Sequence, residues 1–325
     1  MSLIPWMLMA AGSVAVDCIN PITQPGESGY VAEQRHHLRF LMENDSAAGS
    51  DCNYTHGTRI DYARNFSQDP NHAFGLSFTQ NIYTPQTHTR GAVPGEHPYA
   101  GYMALGVAYL TVGEYVGNSV EFQLGTTGKT SGAREMQDMI HKAFHIDRWE
   151  GWSDQIRDEV TFQLTARQDY RLACLETQLP WGMQTAGALF TREELGTVSI
   201  AAELGGYIRM GRNLPPSMQY SCNRAADFSI GLLQTPDYDP TASSWYLQAG
   251  ASVKYVARNL FIDGGVFHDF DRTCSRMPWL GEAQLGLGVR HRGVDYFAGV
   301  IARTDYYRGQ TDDTVFATFN FAFHW

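Results

Sequence analysis

Residues 314–325 constrain the fold more than any other stretch of the chain. Val315, Ala317, Phe319, Phe321, Phe323 and Trp325 are apolar, and most positions between them are small or polar: Thr314, Thr318, Asn320, Ala322 and His324. Side chains of a strand point alternately to its two faces, so this segment reads as a strand with one apolar face and one wet face. It is rich in aromatics and runs to Trp325. A soluble sheet can use such a pattern once. A strand that ends on an aromatic residue is also what closes a cylinder of strands in a membrane, where closure removes the free edge.

The same alternation recurs along the chain. Phe74, Leu76 and Phe78 alternate with Gly75, Ser77 and Thr79, and Val120, Phe122 and Leu124 with Glu121 and Gln123. Val160, Phe162, Leu164 and Ala166 oppose Thr161, Gln163, Thr165 and Arg167. Further segments run through Val198–Leu204, Trp245–Tyr255 and Ala283–Val289 in the same way. The polar face carries charges: Glu121, Arg167, Glu203, Lys254 and Arg290. A sandwich would bury the apolar face and wet the other, and a barrel in lipid would do the inverse. The alternation alone does not choose between them.

Composition and the N-terminus tilt the choice. Charged residues are 18% and aromatics 13%, with 32 Gly, 17 Tyr and 17 Phe, which suits Gly-punctuated, aromatic-rich strands. Mean hydropathy is −0.30, and the longest apolar run, residues 3–16, is too short to span a bilayer as a helix. Residues 1–15 read as a signal peptide, with Ser13 and Ala15 in a small-x-small cleavage pattern, although no Lys or Arg precedes the apolar run. A buried N-terminal segment is the alternative. Residues 16–35 then form an N-terminal segment and residues 36–325 the main domain. The expected fold is all-β: a transmembrane antiparallel β-barrel of about 12 strands, since such barrels have an even number. A net charge of −10 argues against nucleic acid as a partner. Export permits disulfides among Cys18, Cys52, Cys174, Cys222 and Cys274. Cys222 and Cys274 both sit in turn-rich stretches and could bridge two loops, but connectivity is not legible from sequence.

Residues 131–145 break the rhythm. Met136, Met139, Ile140, Ala143 and Phe144 have helical spacing, with Ser131 as the expected N-cap. A helix between two barrel strands must lie in a loop or against the wall, and loops on rigid scaffolds are where function concentrates. It carries His141, with His145 one turn on, an i, i+4 pair that metals can use; no third ligand and no HExxH accompany it. More often a helical His is structural or exposed.

Two other stretches hold residues suited to chemistry. Glu43-Asn44-Asp45 follows the alternating residues 37–42, and Thr55 and Gly57 lie just beyond, so adjacent antiparallel strands would bring them to one rim. Asn, Asp and Gly are also ordinary turn residues. The loop from Tyr83 to Gly101 contains Arg90, a cation able to bind phosphate, though a lone loop Arg is usually just solvated.

In order and spacing these segments resemble the outer-membrane lipid A 3'-O-deacylase family. The matching stretches are Glu43-Asn44-Asp45, Asp51-x-x-Tyr54-Thr55-x-Gly57, Ile82-Tyr83-Thr84-Pro85, Pro98-Tyr99-Ala100-Gly101, the helix carrying His141, and the residues from Gly151 to Ile156. The resemblance spans residues 36 to 325. It implies a twelve-stranded barrel in the bacterial outer membrane, with the helix on an extracellular loop and the active site facing the outer leaflet. It implies calcium-dependent hydrolysis of the 3'-linked acyloxyacyl chain of lipid A in lipopolysaccharide. By motif, Asn44, Asp45, Thr55 and His141 fall on the catalytic positions, with Asp45 as a Ca²⁺ ligand, and Arg90 falls near a basic pair that recognises lipid A phosphate. The C-terminal strand would be read by the barrel-assembly machinery. The chain departs from the family in two places: the basic pair is Thr89-Arg90, and the usual Asp-Arg before Pro98 is Glu96-His97. A phospholipase A-type esterase would need a Ser nucleophile beside a His, and no Ser is placed by such a motif. A non-enzymatic porin or adhesin would account for the strands but not for the rim residues.

Overall fold

The computed structural model describes residues 35–46, 49, 52–87, 93–145, 149–215, 223–228, 233, 238–239, 241–268 and 274–325. The signal-peptide reading and Arg90 lie outside these residues. Thirteen strands follow one another: β1 His36–Asn44, β2 Asn53–Asn65, β3 His72–Thr84, β4 Ala100–Thr111, β5 Val116–Thr127, β6 Val160–Arg171, β7 Thr177–Leu179, β8 Met183–Gly196, β9 Ser199–Arg212, β10 Ser244–Asn259, β11 Trp279–His291, β12 Val294–Arg303 and β13 Thr314–His324. Strand β7 is a three-residue arm paired only with the start of β8, while β6 pairs directly with β8. The wall is therefore a closed antiparallel cylinder of twelve long strands, as expected from the alternation.

Closure is made by the segment that most constrained the fold. Strand β13 pairs with β12 on one side and β1 on the other, with Phe321 opposite both Tyr296 and Phe40. Trp325 extends the ladder: its carbonyl accepts from the amides of Arg35 (2.8 Å) and His36 (2.9 Å), and its amide donates to His36 O (3.0 Å). Its ring stacks on His36 at 5.5 Å. The rim with Trp325 is called the lower rim below, and the opposite one the upper rim.

Burial decides between barrel and sandwich. The apolar face is exposed, with Leu105 66%, Leu285 65% and Trp325 55% accessible, while Arg59, Glu121, Asp169 and Arg192 on the other face are no more than 1% accessible. Those buried charges are paired: Arg59 with Glu121 at 2.8 Å, Asp169 with Arg167 at 2.8 Å, and Arg192 with Glu194. Buried ions persist only when partnered. The exposed belt suits lipid rather than water. Among the described residues no helix is long and apolar enough to cross a membrane.

After β9, residues 223–228 turn into the lumen. The Asn223 amide donates to Glu43 (2.9 Å) and the Ala226 amide to Gln123 (2.9 Å), while Arg192 donates to Ala225 O (2.9 Å). Arg224 bridges Glu203 and Glu282. Phe228 packs with Ala63, Ala73, Ala108 and Leu110, opposite Gly75, where a Cβ would lie 2.5 Å from its ring. Residues 223–228 thus occupy the space an open porin would keep clear. The described cysteines, Cys52, Cys174 and Cys274, carry free thiols, and Cys222 lies outside the described residues.

Candidate functional site

The upper ends of β1, β2 and β3 bring the first group of expected residues together. Asn44 pairs with His56 across β1 and β2. Against β3, the register of β2 shifts between Tyr54 and His56, so Thr55 is the extra residue of a β-bulge. Tyr54 and Gly57 both face the lumen, which leaves Thr55 and His56 between them turned to the outer wall. Bulges re-aim side chains in this way near active sites.

Hydrogen bonds hold this rim tightly. The Asn44 side-chain amide and the Asp45 backbone amide both donate to Thr55 O, each at 3.2 Å. Asn44 Oδ1 accepts from the Ser46 amide (3.0 Å) and hydroxyl (2.6 Å). The Asp45 carboxylate accepts from the Cys52 amide at 2.6 Å and is buried. Thr55 Oγ1 lies 2.5 Å from Thr84 Oγ1, and both hydroxyls are buried. Thr84 stands in the Ile82–Pro85 stretch, where nothing local assigns it a role. Only the β2–β3 register reveals that role.

The second group is the loop helix, Ala133–Phe144, which lies between β5 and β6 as expected. The face it buries against the wall is not its apolar one. Met139 is 59% exposed and Ala143 is exposed, while the buried stripe is Ala133, Gln137 and His141. These positions are four residues apart, so they share one face. The helix presents polar groups to the wall because the wall there offers polar and small partners. Gln80 Nε2 donates to Ser131 O (2.7 Å), and Trp152 Nε1 to Gln137 Oε1 (2.5 Å). The N-cap is Gly132, at φ 66°, rather than Ser131, whose hydroxyl instead donates to Gly128 O (2.6 Å). Gly101 is what allows this seat: a Cβ there would lie 2.1 Å from Ser131 Oγ and 2.4 Å from Ala133 Cβ.

Three motif stretches meet at this seat. Ile82, Tyr99, Ala133 and Trp152 form a buried cluster, flanked by Met136 and Trp149. His141 is 3% exposed and meets the Trp149 ring edge-to-face at 5.1 Å. One turn later His145, in the left-handed conformation at φ 60°, donates its amide to His141 O and ends the helix. His145 itself is exposed, so the two histidines do not share an environment. Among the described residues no group of three or more His, Cys, Asp or Glu is placed to hold a metal. Strand β3 links the two halves of the site. Ile82 lies under the helix, and Thr84, the next residue on that face, touches Thr55.

The loop that carries Arg90 is braced on its described side. Glu96 accepts from the Thr87 amide (2.7 Å) and hydroxyl (2.5 Å). His97 is buried, bonds Pro98 O at 2.8 Å and meets the Tyr307 ring at 5.6 Å. Burial lowers its pKa to about 4, so it is neutral at pH 7. Neither residue supplies a cation in place of the missing one.

Comparison with known proteins gives three results. The model of the family described as outer membrane protein LpxR matches residues 5–325. No curated protein sequence matches the chain. Among solved structures, the chain is similar to LpxR from Salmonella typhimurium at TM-score 0.72 and 16% identity, covering 89% of this chain and 100% of that one. The β domain of the Bordetella autotransporter BrkA is more distant, at TM-score 0.45 and 12% identity over 90% of this chain and 99% of that one.

Proposed function

The chain belongs to the LpxR family of outer membrane proteins, and from that premise we propose that it is a carboxylic ester hydrolase that removes the 3'-linked acyloxyacyl chain of lipid A. The upper rim faces the outer leaflet, where that substrate resides, and the C-terminal strand presents the barrel to its assembly machinery. One observation carries the reading. The loop helix is laid on the outer wall with His141 turned inward, on the same wall that bears Asn44, Thr55 and Thr84. A scaffold or pore has no use for a buried imidazole held against the outside of its own wall.

The chemistry follows from the groups present. His141 takes a proton from water as the water oxygen attacks the ester carbonyl, and returns it to the departing sugar oxygen as the C–O bond breaks. The products are a free acid and a lipid A hydroxyl. Trp149 fixes the imidazole plane and screens it from bulk water. Thr55 and Asn44 orient the water and the imidazole. Thr55 is a poor candidate for a covalent nucleophile, because its hydroxyl already engages Thr84 and has no base assigned to it.

The rim offers the Asp45 carboxylate, with the amide oxygen of Asn44 and the hydroxyls of Thr55 and Thr84. That is a hard-oxygen donor set of the kind calcium takes. Asp45 and Asn44 would hold the ion, and when bound it would supply positive charge where the carbonyl oxygen becomes negative. The half-buried Met136 and Ile140 and the exposed Met139 give the helix an apolar flank for acyl chains.

Expression in a Gram-negative host followed by mass spectrometry of lipid A tests the proposal. Loss of a 3' acyloxyacyl group, absent in His141→Ala and on chelation, is the expected result. Lysophospholipid with unchanged lipid A would point to a phospholipase. No lipid change from an inserted barrel would point to a non-enzymatic role.

A further inference from the structure

We propose that Glu43 and Tyr54, on the lumen side of the wall, are positioning residues for this reaction, with the lumenal segment 223–228 as their backstop. The inference rests on the hydrolase reading above. It starts from the period of a strand: Asn44 and Thr55 face the outer wall, so their chain neighbours Glu43 and Tyr54 face the lumen. Each is one peptide bond from a proposed site residue.

The two are joined to each other and to the plug. Tyr54 Oη donates to Glu43 Oε2 at 2.7 Å, and the Asn223 amide donates to Glu43 Oε1 at 2.9 Å. Glu43 and Tyr54 are 0% and 1% accessible. The Tyr54 ring is fixed by Phe316 at 4.9 Å, by Tyr83 at 5.5 Å and by the Arg303 guanidinium 5.7 Å above it. Gly57 completes the unit: a Cβ there would lie 1.9 Å from Tyr54 Oη and 2.5 Å from Asn223 Nδ2. The spacing Tyr54-Thr55-x-Gly57 therefore has a physical reason that lies on the lumen side. A bulge is a place where register can slip. Here it is clamped from outside by Asn44 and Asp45 on Thr55 O, and from inside by Tyr54 on Glu43.

The test uses purified full-length protein with lipid A in mixed micelles, and the variants Tyr54→Phe, Glu43→Ala and Glu43→Gln. Folding of each is checked by its heat-dependent gel mobility. Tyr54→Phe and Glu43→Ala are expected to lower kcat by about tenfold or more, with KM within about twofold of wild type, because displaced catalytic groups cost rate rather than binding. Glu43→Gln, which can still accept from Asn223 and meet Tyr54 Oη, is expected to recover most of the rate. Labelling of the Cys52 thiol, read by peptide mass spectrometry, gives a measure independent of activity. Cys52 is buried and its amide holds Asp45, so labelling should quicken in both damaging variants. Unchanged kcat in an active background, a change in KM alone, or failure of Glu43→Gln to recover would overturn the inference. If Glu43→Ala does not fold, Tyr54→Phe, which deletes one hydroxyl, decides alone. If wild type does not act on lipid A, the hydrolase reading has failed, and unchanged Cys52 labelling would then overturn this one separately.

Discussion

Gly101→Ala is the sharpest test of how the helix is seated. The added methyl would lie 2.4 Å from Ala133 Cβ, an atom fixed to the helix backbone, and 2.1 Å from Ser131 Oγ. The serine hydroxyl can rotate away. The alanine cannot, and ordinary contact begins at 3.4 Å, so the start of the helix must move off the wall by about 1.0 Å to restore it. Overpacking of this kind costs about 1–3 kcal/mol. A misplacement of about 1 Å in a catalytic group can cost on the order of 100-fold in rate. The expected result is a folded barrel whose lipid A deacylation, followed by mass spectrometry, falls by roughly that factor. Gly281→Ala serves as control, since its Cβ would approach only Thr304 Cγ2, at 3.3 Å. Adding Ala133→Gly to Gly101→Ala removes the colliding methyl and should return much of the rate, less a helix cost of about 1 kcal/mol. If Gly101→Ala is folded and deacylates within about twofold of wild type, far short of the loss a displaced catalytic group brings, the seat does not position His141.

Further outcomes follow from the same geometry. Asp45→Asn keeps an acceptor for the Cys52 amide but removes a carboxylate from the rim. It should raise the calcium needed for half-maximal activity at least tenfold, by roughly the weight of one charged ligand, and equal calcium titrations of both proteins would exclude Asp45 as a ligand. His97 makes the upper loops acid-sensitive. Above its ordinary pKa of 6.5 the folded and unfolded forms are both neutral, and as pH falls toward 4 only the unfolded form takes the proton. The gap is worth about 3 kcal/mol of local stability, lost across that range. Measured against the intrinsic rate at each pH, protection from hydrogen exchange in the segments around Pro98 should therefore fall from pH 7 to pH 4.5, and His97→Gln should abolish that fall; an unaltered protection profile would disprove it. Leu105, 66% exposed, lies on the apolar outer face, and Leu105→Arg places a charge there. In bilayers it should cost about 2–4 kcal/mol by reversible unfolding, and a neutral effect would mean that face does not meet lipid.

The chain by itself determined the wall. Period-two alternation depends only on neighbouring residues and backbone geometry, so the strands from Phe74 to Trp325 and the number in the cylinder were legible. So was the interruption at residues 131–145. The resemblance named Asn44, Asp45, Thr55 and His141 as candidates, and the fold sets the first three at one rim and His141 on the loop helix. Whether the apolar face was core or surface was not legible in the alternation alone, because both solutions share one pattern; composition and the N-terminal segment tilted it to the barrel. It took the burial of Arg59, Glu121 and Arg192 inside the cylinder to decide it. The helix was found but its facing was not. Helical spacing weighs apolar residues alone, whereas the wall beneath it, with Gly101 and Gln80, selects Ala133, Gln137 and His141.

No local signal marks residues 223–228 as a segment that folds inward, because their partners are scattered over β1, β5, β8, β9 and β11. Tyr54 and Gly57 stood in a motif without a reason until Glu43 and Asn223 were seen beside them. Local sequence thus fixes which way each side chain points from its own strand. Only the closed cylinder decides what it meets there, because every one of those meetings joins residues far apart in the chain.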